Sequence, residues 1–144
     1  MLLMKTNEKI KILFLCTGNS CRSQMAEGWC RYFHGDKFEI YSAGIEKHGM
    51  NQRAIKVMKE SGVDISSHIS KTLEDLGPIL FEYVYTVCGH ANELCPIFNG
   101  RSVVKHVGFD DPPKLSFGLT SEEEILSHYR RVRDEIKNWI QNLE

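Results

Sequence analysis

A thiol and a guanidinium separated by five residues, Cys16 and Arg22, frame the stretch Cys16-Thr17-Gly18-Asn19-Ser20-Cys21-Arg22-Ser23. A loop this short, followed by a helix, can converge successive backbone N–H groups on one point, and the positive end of the helix adds to that field. Thr17, Gly18, Asn19, Ser20, Cys21, Arg22 and Ser23 would form such a cradle for an anion. Arg22 adds a planar fork of donors able to hold two oxygens of a tetrahedral oxyanion at once. Cys16 would lie beneath the anion, in a field that favours thiolate, and cysteines so placed have pKa values lowered to roughly 3.5–7.5. Ser23 is expected to cap the helix and to donate its hydroxyl to the thiolate. The chemistry would be attack by sulfur on a bound oxyanion. A Gly18-Asn19 turn beside a buried structural cysteine is the plainer alternative. It leaves the agreement of strand, spacing and helix without a reason.

Those residues need a strand before them and a helix after them, and both are legible. Residues 10–15 are an apolar run, and residues 23–33 place Met25, Ala26, Trp29, Cys30 and Phe33 on one helical face, which makes Cys30 a core residue. Residues 38–43 alternate as a second strand that stops at Gly44. Asn51 is expected to cap a helix with Ala54, Ile55, Val57 and Met58 facing inward and Gly62 at its end. A short helical stretch over 72–76 precedes Gly77-Pro78. Residues 83–87 are β-branched and aromatic, as in a strand buried on both faces, and Cys88 follows directly. Residues 89–100 are expected to be irregular, 102–107 a fourth strand and 108–114 a loop. Thr120-Ser121-Glu122-Glu123-Glu124 holds overlapping capping boxes, after which Ile125, Tyr129, Val132, Ile136, Ile140 and Leu143 recur at helical spacing.

Strands alternating with helices predict an α/β fold: one domain over residues 1–144, with a four-stranded, mainly parallel open sheet and helices on both faces. Ligands of such sheets gather at the carboxyl ends of the strands. Cys16, Cys88 and Asp110-Asp111 each follow an expected strand, so parallel strands would bring all three to one edge.

With 42% hydrophobic and 26% charged residues and a formal net charge of −1, nothing points to a nucleic-acid or membrane partner. The first seven residues turn polar too soon for a signal peptide, so a cytoplasmic protein is expected, as a monomer. Five cysteines, Cys16, Cys21, Cys30, Cys88 and Cys95, are then catalytic, metal-binding or buried rather than structurally paired. The six histidines do not cluster at zinc-ligand spacing, so no metal is expected.

The loop resembles the phosphate-binding loop of the low-molecular-weight protein tyrosine phosphatase fold. The longer stretch from Cys16 to Trp29, with Gln24, Met25, Ala26, Glu27 and Gly28, is similar to the thioredoxin-coupled arsenate reductases of that fold. The likeness continues through Tyr41-Ser42-Ala43-Gly44-Ile45, Cys88 and Cys95-Pro96, Gly108-Phe109-Asp110-Asp111-Pro112 and residues 130–135. It implies arsenate as substrate, phosphate or sulfate as analogues, and a role in arsenical resistance and detoxification. By that resemblance Cys16 is the nucleophile, Arg22 the clamp and Asp111 the general acid, with Asp110 the lesser candidate. Cys88 and Cys95 are the relay thiols that form a redox-active disulfide, and thioredoxin is the external reductant, with no tightly bound cofactor. Glutaredoxin-linked relatives leave the reductant open. Some of these reductases hold potassium behind the loop at positions matching Asn19, Glu27 and Ser42 and an acid that is Lys71 here. The Lys71 ammonium would pair with Glu27 in the cation's place or point outward, which leaves potassium in question.

Two other readings compete. A tyrosine phosphatase would use Cys16, Arg22 and Asp111 in the same way, with water hydrolysing the phosphocysteine. It would have no need of Cys88 or Cys95, and aromatics would follow Asp111-Pro112 where Pro113 and Lys114 stand. An oxyanion-binding thiol protein would need neither the Asp nor the relay. Asn19 is expected to stabilise the loop by bonds to backbone. Cys21 has no assigned role beyond a liability to oxidation. His90 lies near Cys88 and reads as a solvated residue, and His34, His48, His68, His106 and His128 form no constellation.

Overall fold

The apolar run ending at Cys16 is the central strand of the sheet. In a computed structural model, which describes residues 9–88 and 102–143, β1 (Ile10–Cys16) is flanked by β2 (Phe38–Gly44) and β3 (Tyr83–Thr86). β4 (Val103–His106) pairs with the outer side of β3, so the order is β2-β1-β3-β4 and every pairing is parallel. Side chains alternate across β1. Ile12 and Phe14 join one buried cluster, while Leu13 and Leu15 join another with Ala43, Phe81 and Val84. A strand buried on both faces must be apolar throughout, which is why residues 12–15 read as an unbroken run. β4 is exposed along its length and carries Lys105 and His106, as suits an edge.

The first face is covered by α1 (Arg22–His34) and α5 (Glu122–Gln141), with α2 (Gln52–Glu60) packed on α5. Ile125, Tyr129, Val132, Ile136 and Ile140 are buried there, so the periodicity of α5 selects the packed stripe. Ser121 caps α5 by accepting the Glu124 amide at 3.3 Å, and Glu122 to Glu124 stand at its positive end. Asn51 caps α2 through the amides of Arg53 (2.9 Å) and Ala54 (3.0 Å). Ala54, Val57 and Met58 are buried, whereas Ile55 is half-buried at the margin. Cys30 is fully buried between these layers and burial pushes its thiol up to about 12, which makes it a core residue. On the second face the described cover is slighter: α3 (Leu73–Leu76) and Ile79 pack beside Phe81. Thr72 and Asp75 close a capping box that makes this single turn possible.

Two expectations are corrected. α1 begins at Arg22, with Cys21 in the cap position and no side-chain cap bond, so Ser23 is inside the helix and does not cap it. Residues 108–114 are not all loop, because α4 (Pro112–Leu115) starts directly after Asp111. Proline in the first helical position is preorganised for this, having no N–H to lose. Cys95 and His90 lie outside the described residues. No helix among the described residues is long and apolar enough to cross a membrane.

Ile136 has no exposed surface and fills the α5 side of the larger cluster. Ile136→Ala should destabilise the fold by about 3 kcal/mol, from the lost transfer energy and the cavity left behind. Urea unfolding followed by circular dichroism measures it.

Candidate active site

The carbonyls of the Cys16–Arg22 loop are taken up from outside the loop. Thr17 O accepts the Glu46 amide at 3.0 Å, and Gly18 O accepts the His48 amide at 3.0 Å and Ser70 Oγ at 3.1 Å. Ser20 O accepts the Asn51 amide at 3.2 Å, and Gln24 Nε2 reaches Asn19 O at 3.3 Å. In a planar trans peptide the C=O and the next N–H point in opposite directions. Carbonyls drawn outward therefore turn the following N–H groups inward. Inward N–H groups are what an anion cradle would need. The approach is close: a Cβ on Gly44 would stand 2.6–2.8 Å from Glu46 O, Thr17 O and Asn19 N, so β2 must end in glycine.

The cavity that results is about 290 Å³ and is lined, among the described residues, by Cys16, Thr17, Gly18, Ser20, Cys21, Arg22, His48, Asp111 and Pro113. Arg22 is buried, and its Nη1 donates to Phe109 O at 3.0 Å. Its Nη2 lies 3.5 Å from Asp111 Oδ1. Asp111 ends the extended segment at the start of α4, so the proline that begins the helix aims the carboxylate at the cavity. Asp110 is turned away to Arg131 at 2.9 Å and does not line it. The two acids are thus distinguished by where their cationic partners sit.

Three candidates lie elsewhere. Asn19 is fully buried behind the loop in the left-handed region, φ 48°. Its Nδ2 donates to Ser23 Oγ (2.9 Å) and Ser42 Oγ (3.0 Å), and its Oδ1 accepts from Gln24 Nε2 (2.9 Å) and the Lys71 amide (2.9 Å). Only one of these partners is backbone, so Asn19 fastens the loop chiefly to other side chains. Ser23 is one of them. Cys88 is buried one residue past Val87, whose amide donates to Leu15 O at 2.9 Å, so it stands beside the end of β1. Cys21 lines the cavity, yet burial, with Asp111 and Cys16 adding, drives its pKa upward, so it stays a thiol and a poor nucleophile. Sequence reasoning missed Gln24, His68 and Ser70. His68 Nδ1 meets Gln24 Oε1 at 3.0 Å, and only the segment's position behind the loop reveals it.

The site behind the loop does not fit a potassium ion. A cation needs free oxygen donors. Asn19 presents Nδ2 to Ser42, and its Oδ1 is already engaged twice. Ser42 Oγ donates to Glu27 Oε1 at 2.5 Å. The Glu27 carboxylate also meets Arg31 Nε at 2.9 Å and Lys71 Nζ at 3.9 Å, two cations already in place. Burial lowers the Lys71 pKa and Glu27 opposes it, so the ammonium pairs inward as well as bonding Ile69 O at 3.0 Å. Among the described residues no group of three or more His, Cys, Asp or Glu could hold a metal.

The sequence profile of the low molecular weight phosphotyrosine protein phosphatase family matches residues 11–144. Over 130 residues the chain is 50% identical to an arsenate reductase of Halalkalibacterium halodurans, covering 90% of this chain and 91% of that one. An arsenate reductase of Bacillus subtilis is 48% identical over 127 residues, 88% of this chain and 89% of the other. A solved arsenate reductase in a phosphate-binding state is similar with a TM-score of 0.76 at 31% identity, over 92% of this chain and 95% of that one.

Asn19→Ala should cost about 3 kcal/mol in urea unfolding, since it strands buried partners and leaves a non-glycine residue at positive φ. Asn19→Gly should recover only the strain. Replacing sodium by potassium at constant ionic strength should leave the melting temperature unchanged, and a potassium-dependent rise would show that a cation displaces Lys71.

Proposed function

The chain belongs to the low molecular weight phosphotyrosine protein phosphatase family and is within it an arsenate reductase, and we propose that it works through Cys16, Cys88 and Cys95. The observation that carries the relay is the place of Cys88, a buried thiol beside the carboxyl end of the strand that delivers Cys16. Leu15 pairs with Thr86, so the register continued past β3 sets Val87 beside Cys16 and Cys88 one residue beyond. Alternation alone would turn Cys16 and Cys88 to opposite faces, so a bond between them requires the chain beyond β3 to turn towards Cys16.

Arsenate enters the cradle, its oxygens facing the inward N–H groups and Arg22. The Cys16 thiolate attacks arsenic(V), and Asp111 gives a proton to the departing oxygen, which leaves as water. The growing negative charge is held by donors already aimed at it. Cys88, as thiolate, then attacks Cys16 Sγ. The sulfur–arsenic bond breaks with its electron pair moving to arsenic, which leaves as arsenite, arsenic(III), and a Cys16–Cys88 disulfide remains. Because Cys88 is buried, a protein reductant cannot reach this bond. Cys95 attacks Cys88, frees the Cys16 thiolate and moves the disulfide to Cys88–Cys95. A thioredoxin dithiol supplies the final two electrons. Such a cycle suits a monomer in the reducing cytoplasm. Phosphate and sulfate, tetrahedral and similarly charged, compete for the cradle. The phosphatase reading uses the same cavity and leaves Cys88 and Cys95 without work.

A single turnover of fully reduced protein with arsenate should release stoichiometric arsenite and leave a Cys88–Cys95 disulfide by mass spectrometry. Cys16→Ser should lower both arsenite formation and aryl-phosphate hydrolysis at least ~1,000-fold. Cys88→Ser should stop arsenite release and spare slow ester hydrolysis, while Cys95→Ser should stall at Cys16–Cys88. Loss of both activities in Cys88→Ser would make Cys88 structural. Brisk ester hydrolysis by the wild type without arsenite would make the chain a phosphatase.

A further inference from the structure

The oxyanion cavity does not end in open solvent on the side of residues 46–51. A second, polar groove of about 550 Å³ lies there, lined by Met50, Asn51, Arg53, Lys56 and Tyr129 among others. Ser20 and His48 line both spaces. Ser20 belongs to the fixed loop, through its carbonyl bond to the Asn51 amide. His48 is therefore the side chain that divides the two.

The imidazole is held as a partition would be. Its Nδ1 stands 2.2 Å, and its Cγ 2.6 Å, from where a Cβ on Gly18 would be, so the ring lies directly against the backbone of the cradle. Only glycine at position 18 admits that approach. The His48 amide bonds Gly18 O at 3.0 Å, which fixes the root of the side chain. Nε2 meets Glu46 Oε1 at 2.6 Å, which fixes its tip. The ring is pinned at three points although half its surface faces water.

We propose that His48 sets substrate size: its ring closes the oxyanion cavity against ester substituents, which would otherwise run into the adjoining groove. This rests on the reading of Cys16 and the cradle as the reactive site, and it explains how that site favours a bare tetrahedral oxyanion. Arsenate and phosphate monoesters present the same oxygens to the loop and differ in the fourth substituent. Discrimination must therefore come from whatever that substituent meets. On the side of the groove it meets the imidazole.

The test compares p-nitrophenyl and 1-naphthyl phosphate hydrolysis, as kcat/KM, with the Kd for inorganic phosphate, in the wild type, His48→Ala, His48→Phe and Glu46→Gln. The ratio of ester kcat/KM to phosphate affinity should rise roughly tenfold in His48→Ala, the scale expected for opening a pocket wall, and more for the naphthyl ester. His48→Phe restores the wall without its ring nitrogens and should return the ratio towards the wild type. Glu46→Gln only weakens the hold on the tip and should give a smaller rise, which reads the same effect if His48→Ala fails to fold. A flat or falling ratio in His48→Ala and Glu46→Gln overturns the proposal, as does a His48→Phe protein as permissive as His48→Ala. Arsenite from a single turnover of the wild type separates the two readings. No arsenite with a rising ratio leaves the partition standing and the reductase reading overturned, and arsenite with a flat ratio does the reverse.

Discussion

The outward pull on the loop carbonyls is the constraint on which the site depends. Residues 46, 48, 51 and 70 together claim the carbonyls of Thr17, Gly18 and Ser20, and Gln24 claims that of Asn19. Peptide planarity turns an N–H away from each carbonyl so held, which is the tendency an anion cradle needs. Donors fixed in this way need no reorganisation when charge arrives, which gives preorganised sites their advantage over water. The claimants come from the chain after β2, from the α2 cap and from the segment before α3. The cradle is thus a product of the whole first half of the fold, and not of eight residues alone.

Electrostatics follows from the same scaffold. Arg22 is buried, and a buried guanidinium is tolerated only with compensating partners. It finds Phe109 O and Asp111, both on the segment between β4 and α4. That segment is delivered by a parallel strand, so its carboxyl end reaches the edge where Cys16 also ends. Asp111 is aimed by the helix that Pro112 starts, while Arg131 on α5 draws Asp110 away. Guanidinium and carboxylate are in this way brought together from positions 22 and 111 of the chain. Behind the loop, Asn19, Ser42, Glu27 and Lys71 form a polar network in which one carboxylate meets both an ammonium and a guanidinium. Such a network, if fully satisfied, rigidifies what rests on it. Here the loop rests on it.

How much of this was legible depends on whether a feature is local. The strand–loop–helix unit around Cys16, the amphipathic stripe of α5, the Asn51 cap and the Thr72 turn are fixed by neighbours within a few residues, and each was read correctly. The order of the strands was implied only as parallel, and the sheet supplied the sequence β2-β1-β3-β4. Ser23 was expected to cap α1, but the loop geometry places the helix start one residue earlier and its hydroxyl oxygen accepts from Asn19 Nδ2. Asp111-Pro112-Pro113 carried the signal of a helix start that reading the segment as loop passed over.

The sequence by itself determined that Cys16 and Arg22 stand at the two ends of one loop, and the sheet edge on which they and Asp111 meet, because spacing along one chain and strand direction suffice for both. Only the tertiary structure decided which acid faces the cavity, that Lys71 pairs with Glu27, and that His48 lies against Gly18. Those are contacts between residues about 30 to 90 positions apart. No periodicity encodes them, since they exist only once packing has brought the segments together.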